Sequence, residues 1–189
     1  MHVLYDLYFA SSNKNKYNEA REILSKFKLD LGFFEFSPVE IQSNSIKEIA
    51  TKKVLDAYML CKKPVLVEDD GLYVKSLGGF PGPYSSYVFK TIGNMGIINL
   101  VKLQRKAEFH SVIAYCDYSK KPILFEGITK GTISKKQKGI GWGYDPIFTP
   151  IGKKQTYAEL KEKNTLSHRY KALTKFARWF ADKRQSSVQ

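Results

Sequence analysis

The rhythm of apolar positions changes several times along the chain, and each change marks an element. Leu4 to Ala10 is a nearly continuous apolar run, the pattern of a buried strand. From Asn15 to Phe27 the period becomes helical, with Tyr17, Ala20, Ile23, Leu24 and Phe27 on one face. Phe33 to Phe36 predicts a second strand, and Ser45 to Cys61 a second helix carrying Ile46, Ile49, Ala50, Val54 and Ala57 inward. Ser45 and Glu48 have the spacing of a capping box at its start. After Pro64 a short strand, Val65 to Val67, runs straight into Glu68-Asp69-Asp70-Gly71, so that three carboxylates abut a buried strand end.

Gly78 to Pro83 is turn-like and stiff, a shaped wall and not a linker. Ile92 to Arg105 predicts a helix, while Phe109 to Cys116 and Ile123 to Ile133 predict an antiparallel hairpin around a turn at Tyr118 to Pro122. Ser134 to Gly143 is basic and glycine-rich, a candidate mobile loop. Leu166 to Lys183 closes the pattern as an amphipathic helix with Leu166, Tyr170, Leu173, Phe176 and Phe180 in step. Helices and strands intermingle without repeat or linker, which predicts one α/β domain over residues 1–189, built on a mixed sheet.

Composition narrows the class. The 189 residues are 43% hydrophobic, far from the signature of disorder. Two cysteines, Cys61 and Cys116, are too few for a disulfide framework, and no Cys or His spacing suggests zinc; a reducing, cytoplasmic compartment is expected. No apolar run reaches the ~18 residues of a membrane span. The formal charge of +13 admits nucleic acid, an anionic surface or small polyanions as partners and does not choose among them.

Candidate chemistry does more. Like charges crowded at Glu68-Asp69-Asp70 repel unless a cation or basic groups offset them, and hard oxygen ligands of this kind suit Mg²⁺, although a solvated acidic turn has the same sequence. Ser11 to Lys16 offers hydroxyl, amide and ammonium donors at a helix N-terminus, where an anion is favoured; helix capping by Ser and Asn accounts for the same residues. Trp142, Gly143, Tyr144 and Asp145 combine aromatic plates with close backbone access, as a flat ring would need and as a packed hairpin would also supply. Ser167-His168-Arg169 adds a hydroxyl, an imidazole and a guanidinium before the last helix. Together these segments contain a phosphate cradle, a metal-binding acid cluster, aromatic plates and donors for a base, which is a nucleotide site.

In order along the chain, Phe9 to Lys16, Glu68 to Leu72, Leu77 to Ser85, Gly141 to Phe148, and Thr156 to Leu160 followed by Lys163-Asn164 and Ser167 to Arg169 resemble the inosine/xanthosine triphosphate pyrophosphatase family. The resemblance implies a homodimer of two-lobed subunits, each with a long mixed central sheet, flanking helices and an active-site cleft between the lobes. It implies Mg²⁺-dependent cleavage of purine triphosphates with a 6-keto base (ITP, dITP, XTP) to monophosphate and pyrophosphate, which cleanses the nucleotide pool. By the same resemblance Ser11, Ser12, Asn13, Lys14, Asn15, Lys16 and Lys53 hold the triphosphate. Glu40, Glu68 and Asp69 bind the metal, and Asp69 also takes the proton of the attacking water. Trp142 stacks on the purine, and Gly143, Tyr144, Asp145, Lys163, His168 and Arg169 line the base pocket. Asp70 stands where the family often has a small hydroxyl residue; it binds metal, contacts sugar or is merely tolerated. The family also implies no membrane and no stable nucleic-acid partner, whereas a basic nucleic-acid-binding protein is the competing reading of the charge. The basic stretch with Lys135, Lys136 and Lys138 is a candidate lid over the triphosphate.

Overall fold

The computed structural model describes Tyr5 and residues 7–186; Leu4 and Asp6 of the first expected strand lie outside the described residues. The observed elements are β1 (Leu7–Ser11), α1 (Lys14–Ser25), β2 (Leu31–Glu35), α2 (Ile46–Cys61), β3 (Val65–Val74), β4 (Pro81–Gly82), α3 (Ser85–Thr91), α4 (Gly93–Leu100), β5 (Lys106–Cys116), β6 (Ile123–Ile133), β7 (Phe148–Pro150) and α5 (His168–Ser186). The strands form one mixed sheet in the order β2-β1-β3-β5-β6-β7, with β4 attached to β3. β1 runs parallel to β2 and β3; the pairings of β3 with β4 and β5, of β5 with β6 and of β6 with β7 are antiparallel. The expected mixed α/β architecture is what the described residues show.

Local chemistry fixes the ends of the helices. The Asn13 side chain caps α1 by accepting from the backbone N–H groups of Asn15 and Lys16 at 2.9 and 3.3 Å. Ser45 caps α2 as its sequence predicts, but the reciprocal arm is relayed: Glu48 accepts from the Ser43 hydroxyl at 2.7 Å, and that oxygen accepts from the Ser45 N–H at 3.0 Å. Three buried clusters fill the space around the sheet. One joins β1 to α1 and α5 through Phe9, Ile23, Leu24 and Phe176; a second packs α2 on β3 and β5 through Val54, Val65, Val67 and Val112; a third gathers α4 and β7 around Ile97, Phe109 and Phe148.

Four expectations need correction. The helix expected over Ile92 to Arg105 is shorter: α4 starts at Gly93, which takes a φ of +61° after the separate helix α3, and ends at Leu100, after which Arg105 donates to the carbonyls of Val101, Ile133 and Ser134. The second strand starts at Leu31 instead of Phe33. The Ser134–Gly143 stretch is a loop fastened at several points, among them Lys138 N–H to Pro146 O at 2.9 Å, Thr156 Oγ1 to Lys138 O at 3.0 Å and Asn94 Nδ2 to Gly143 O at 3.1 Å.

The fourth correction governs the site. β3 does not stop at Val67 but continues for ten residues, so the three carboxylates lie inside a strand and pair in register with β5: Glu68 with Ile113, Asp69 with Val112, Asp70 with Ser111. On its other edge β3 meets β1 only at Val65 and Leu66, and β4 only at Leu72 and Tyr73. Val67 to Gly71 have no strand on that edge among the described residues, and the gap opens beside the β1–α1 turn.

α5 must pass very close to the sheet to close this arrangement. A Cβ built on Gly127 of β6 would lie 2.1 Å from the His168 carbonyl oxygen and 2.6 Å from Ala172 N, both backbone atoms that cannot rotate away. Gly127→Ala is therefore expected to destabilise the protein by about 3 kcal/mol, at the upper end of overpacking costs, measured by urea unfolding. A variant as stable as the parent would mean that α5 does not sit this tightly.

Candidate active site

Strand pleating sorts the acidic cluster. Successive side chains of β3 point to opposite faces of the sheet, so Glu68 and Asp70 share the face of Leu66 and Leu72, while Asp69 lies with Val65 and Val67 toward α2. The partners follow this division. Glu68 accepts from the Ser111 hydroxyl and from Arg169 Nε of α5, each at 2.7 Å. Asp70 accepts from Lys16 Nζ of α1 at 3.1 Å and from Arg169 Nη2 at 2.8 Å. Asp69 instead meets Lys53 of α2 at 3.2 Å, and the same ammonium reaches Glu40 at 2.7 Å. No group of three or more His, Cys, Asp or Glu side chains forms a ready metal cage among the described residues.

A cleft of about 660 Å³ lies over this edge of β3. Every site residue expected from the sequence lines it: Ser11 to Lys16, Glu40, Lys53, Glu68, Asp69, Asp70, Trp142 to Asp145, Lys163, His168 and Arg169. The lining also includes Phe36, Pro38, Phe89, Lys90 and Phe109, which the sequence did not single out. Lys135, Lys136 and Lys138, the stretch expected as a lid, do not line it.

The most informative residue that sequence reasoning missed is Glu19. From α1 its carboxylate accepts from Trp142 Nε1 at 2.8 Å, from Lys163 Nζ at 2.7 Å and from Arg169 Nη1. Lys163 also donates to buried Asp145 at 2.6 Å. Lys163 Nζ and the Arg169 guanidinium lie 5.0 and 5.1 Å from the Trp142 ring centroid, a cation–π pair on the indole expected to receive the purine. Only the helical register could have signalled Glu19: it follows Lys16 by three residues and so shares its side of α1.

Tyr144 is more core than pocket. It is buried, its hydroxyl donates to the Ser85 carbonyl at 2.9 Å, and its ring packs edge-on against Phe89. His168 is stacked flat on Phe109, with centroids 4.4 Å apart and planes 6° apart, and its Nδ1 is a buried polar atom with no partner. Burial, with Arg169 alongside, holds the imidazole well below its usual pKa, so it is neutral at pH 7.

The carboxylates are tuned in opposite directions. Burial opposes ionisation of Asp70 and Glu19, but the adjacent cations outweigh it: Lys16 and Arg169 hold Asp70 well below the carboxylate range, and Arg169 and Lys163 lower Glu19. At Asp69 burial prevails over Lys53 and Lys16, and its pKa is raised; at Asp145 burial likewise prevails over Lys163. Lys16, although buried, is kept protonated by Asp70, Glu68 and Asp69.

The profile of the Ham1 family matches residues 7–179, and the chain belongs to that family. A dITP/XTP pyrophosphatase of Methanopyrus kandleri is 45% identical over 177 residues, covering 91% of this chain and 94% of its own; one from Hyperthermus butylicus is 44% identical over 175 residues, covering 90% and 92%. Among solved structures, a HAM1 protein from Coxiella burnetii superposes with a TM-score of 0.82 at 28% identity, covering 95% of this chain and all of that one. The Ham1 protein of Staphylococcus aureus gives 0.75 at 26% identity, covering 93% and 99%.

Two outcomes test the site. An unfolded chain protonates His168 near pH 6.5, whereas the folded chain resists to lower pH. Stability should therefore fall on acidification below about 6.5, by up to about 1.4 kcal/mol per pH unit, and His168→Gln should flatten the slope between pH 7 and 5.5 in urea melts. An unchanged slope would remove His168 as its source. Glu19→Gln leaves Arg169 and Lys163 each short of a carboxylate and should cost about 3 kcal/mol, the low end for a broken buried ion pair, with a shifted Trp142 emission; a silent substitution would contradict the geometry.

Proposed function

We propose that this chain is a nucleoside triphosphate pyrophosphatase that hydrolyses purine triphosphates bearing a 6-keto base (dITP, XTP and ITP) to the monophosphate and pyrophosphate, a reaction that removes deaminated purines from the nucleotide pool. The observation that carries this reading is the cleft itself. It joins a cationic end, at Lys16 and Lys53 beside the α1 N-terminus, to an indole-walled end with buried donors. The names of its Ham1 relatives support the same chemistry.

The triphosphate is read at the β1–α1 turn. Asn13 spends its side-chain oxygen on the helix cap, which leaves its amide nitrogen as the donor; Ser11, Ser12, Lys14, Asn15, Lys16 and Lys53 add the remaining donors along the cleft. Asp69 is the candidate base. Its raised pKa gives it a stronger pull on a water proton than an ordinary aspartate, and Lys16 and Lys53 offset charge on the departing pyrophosphate.

Mg²⁺ fits part of the expected ligand set. Asp69 and Glu40 already converge on one positive point, the Lys53 ammonium, and Mg²⁺ characteristically takes one or two carboxylates with phosphate oxygens and waters. Bound there, the ion would neutralise phosphate charge and lower the pKa of a bound water. Glu68 does not fit the metal set: its side chain is fully buried and both oxygens are committed to Ser111 and Arg169, so its role is to anchor Arg169.

Base choice follows from hydrogen-bond polarity. A 6-keto purine offers an acceptor to Arg169, Lys163 or the neutral imidazole of His168, whereas a 6-amino purine leaves buried donors unpaired. A homodimer and a cytoplasmic setting belong to this proposal through the family resemblance.

Pyrophosphate release from XTP, dITP, ITP and ATP, with Mg²⁺ and with chelator, tests the whole reading. The expected result is metal-dependent turnover of the keto substrates, with ATP disfavoured by at least about two orders of magnitude. Asp69→Asn should lower kcat by about 10²–10⁴ with melting unchanged. Equal turnover of ATP, or full activity in Asp69→Asn, would overturn the assignment.

A further inference from the structure

Asp70 is a carboxylate of the cleft to which the reaction above gives no part. Its two oxygens are divided between the two ends of the site, Lys16 Nζ at 3.1 Å and Arg169 Nη2 at 2.8 Å. Arg169 does not need it for neutrality, because Glu68 and Glu19 already meet the other two guanidinium nitrogens. Lys16 does: Asp70 is its ion-pair partner among the described residues. The Asp70 side chain also differs from that of Glu68 in exposure, 19% against 0%, and so lies where a bound anion would meet it.

We infer that Asp70 is an internal stand-in for a substrate phosphate, a carboxylate that holds Lys16 when the cleft is free and competes for it whenever a polyphosphate occupies the site. The inference rests on the reading of the cleft as a triphosphate site. A phosphate chain approaching Lys16 must share the ammonium with Asp70 and sit beside a like charge in a partly desolvated place, where charge pairs are weakly screened. The opposition falls on the phosphates at Lys16; at the base end Asp70 only shares Arg169 with Glu68 and Glu19, which keep that guanidinium paired. Ligands that lack a base bear its full weight. Pyrophosphate, the product, is such a ligand, and Asp70 is placed to retake Lys16 as it leaves. Asp70 is therefore a positioning residue that keeps product and free polyphosphate from lingering.

The test uses inorganic tripolyphosphate and pyrophosphate as probes, titrated calorimetrically into the full chain in chelator so that no metal intervenes. Asp70→Asn and Asp70→Ser should each bind tripolyphosphate about tenfold more tightly than the parent, the low end of the coupling measured for close charge pairs. Pyrophosphate should become a correspondingly stronger inhibitor of XTP turnover. In a Lys16→Gln background the gain from Asp70→Asn should vanish, since its source is the freed ammonium. A merely structural role would loosen binding and never tighten it. Unchanged or weaker binding in both variants, or failure of both to fold, overturns the inference while parental XTP turnover leaves the triphosphate reading intact. A parent that neither binds tripolyphosphate nor cleaves any triphosphate overturns both.

Discussion

A fully buried guanidinium cannot stay in a protein without carboxylates around it, and the organisation of this molecule follows from how that condition is met at Arg169. Its side chain is 1% exposed, and its three nitrogens go to Glu68 on β3, Glu19 on α1 and Asp70, again on β3. These contacts bring the first helix, the central strand and the last helix to a single point. Removing any of the carboxylates leaves buried charge less well compensated, whereas the same charges packed together gain most from the low dielectric around them. The cleft is the remaining open side of this junction, and Lys163, Trp142 and Lys16 are held by carboxylates that also hold Arg169.

The pleat of β3 explains how a run of adjacent acids serves separate purposes. Glu68 is consumed by anchoring, Asp70 faces Lys16, and Asp69 is turned to the opposite side, where Lys53 and Glu40 wait. Burial raises the pKa of Asp69 while paired cations lower that of Asp70, one residue away. Two carboxylates of identical chemistry thus acquire different proton affinities from sheet geometry alone.

Much of the cleft was legible in the chain because its residues sit in turns and at helix starts, where residue identity is set by backbone geometry: Asn13 as a cap, and Gly143 at positive φ beside Trp142. The divisions of labour were not. A strand ending at Val67 is the natural reading of an apolar run that meets three acids, and only pairing with β5 carries β3 on to Val74. Once the strand is mistaken for a loop, alternation is lost and Glu68 looks like a metal ligand. Glu19 was invisible for a related reason: a glutamate on a helix surface is ordinary until α5 places Arg169 against it.

The charge of the chain takes on a different meaning against this geometry. Lys14, Lys16, Lys53, Lys90, Lys163 and Arg169 line the cleft, but Glu40, Glu68, Asp69, Asp70 and Asp145 line it too, with Glu19 bound to two of those cations. The site is close to neutral, and the formal excess of +13 lies on the rest of the chain. Attraction of anions at a distance and discrimination at contact are therefore separate properties. Long-range steering is screened within about 8–10 Å at ordinary ionic strength, while the paired charges of the cleft act at hydrogen-bond range. A ligand gains there only by replacing partners that are already satisfied, or by meeting the few groups that are not, such as Nδ1 of His168. Selectivity in such a site comes from the fit of donors and acceptors, and net positive charge contributes mainly to the rate of encounter.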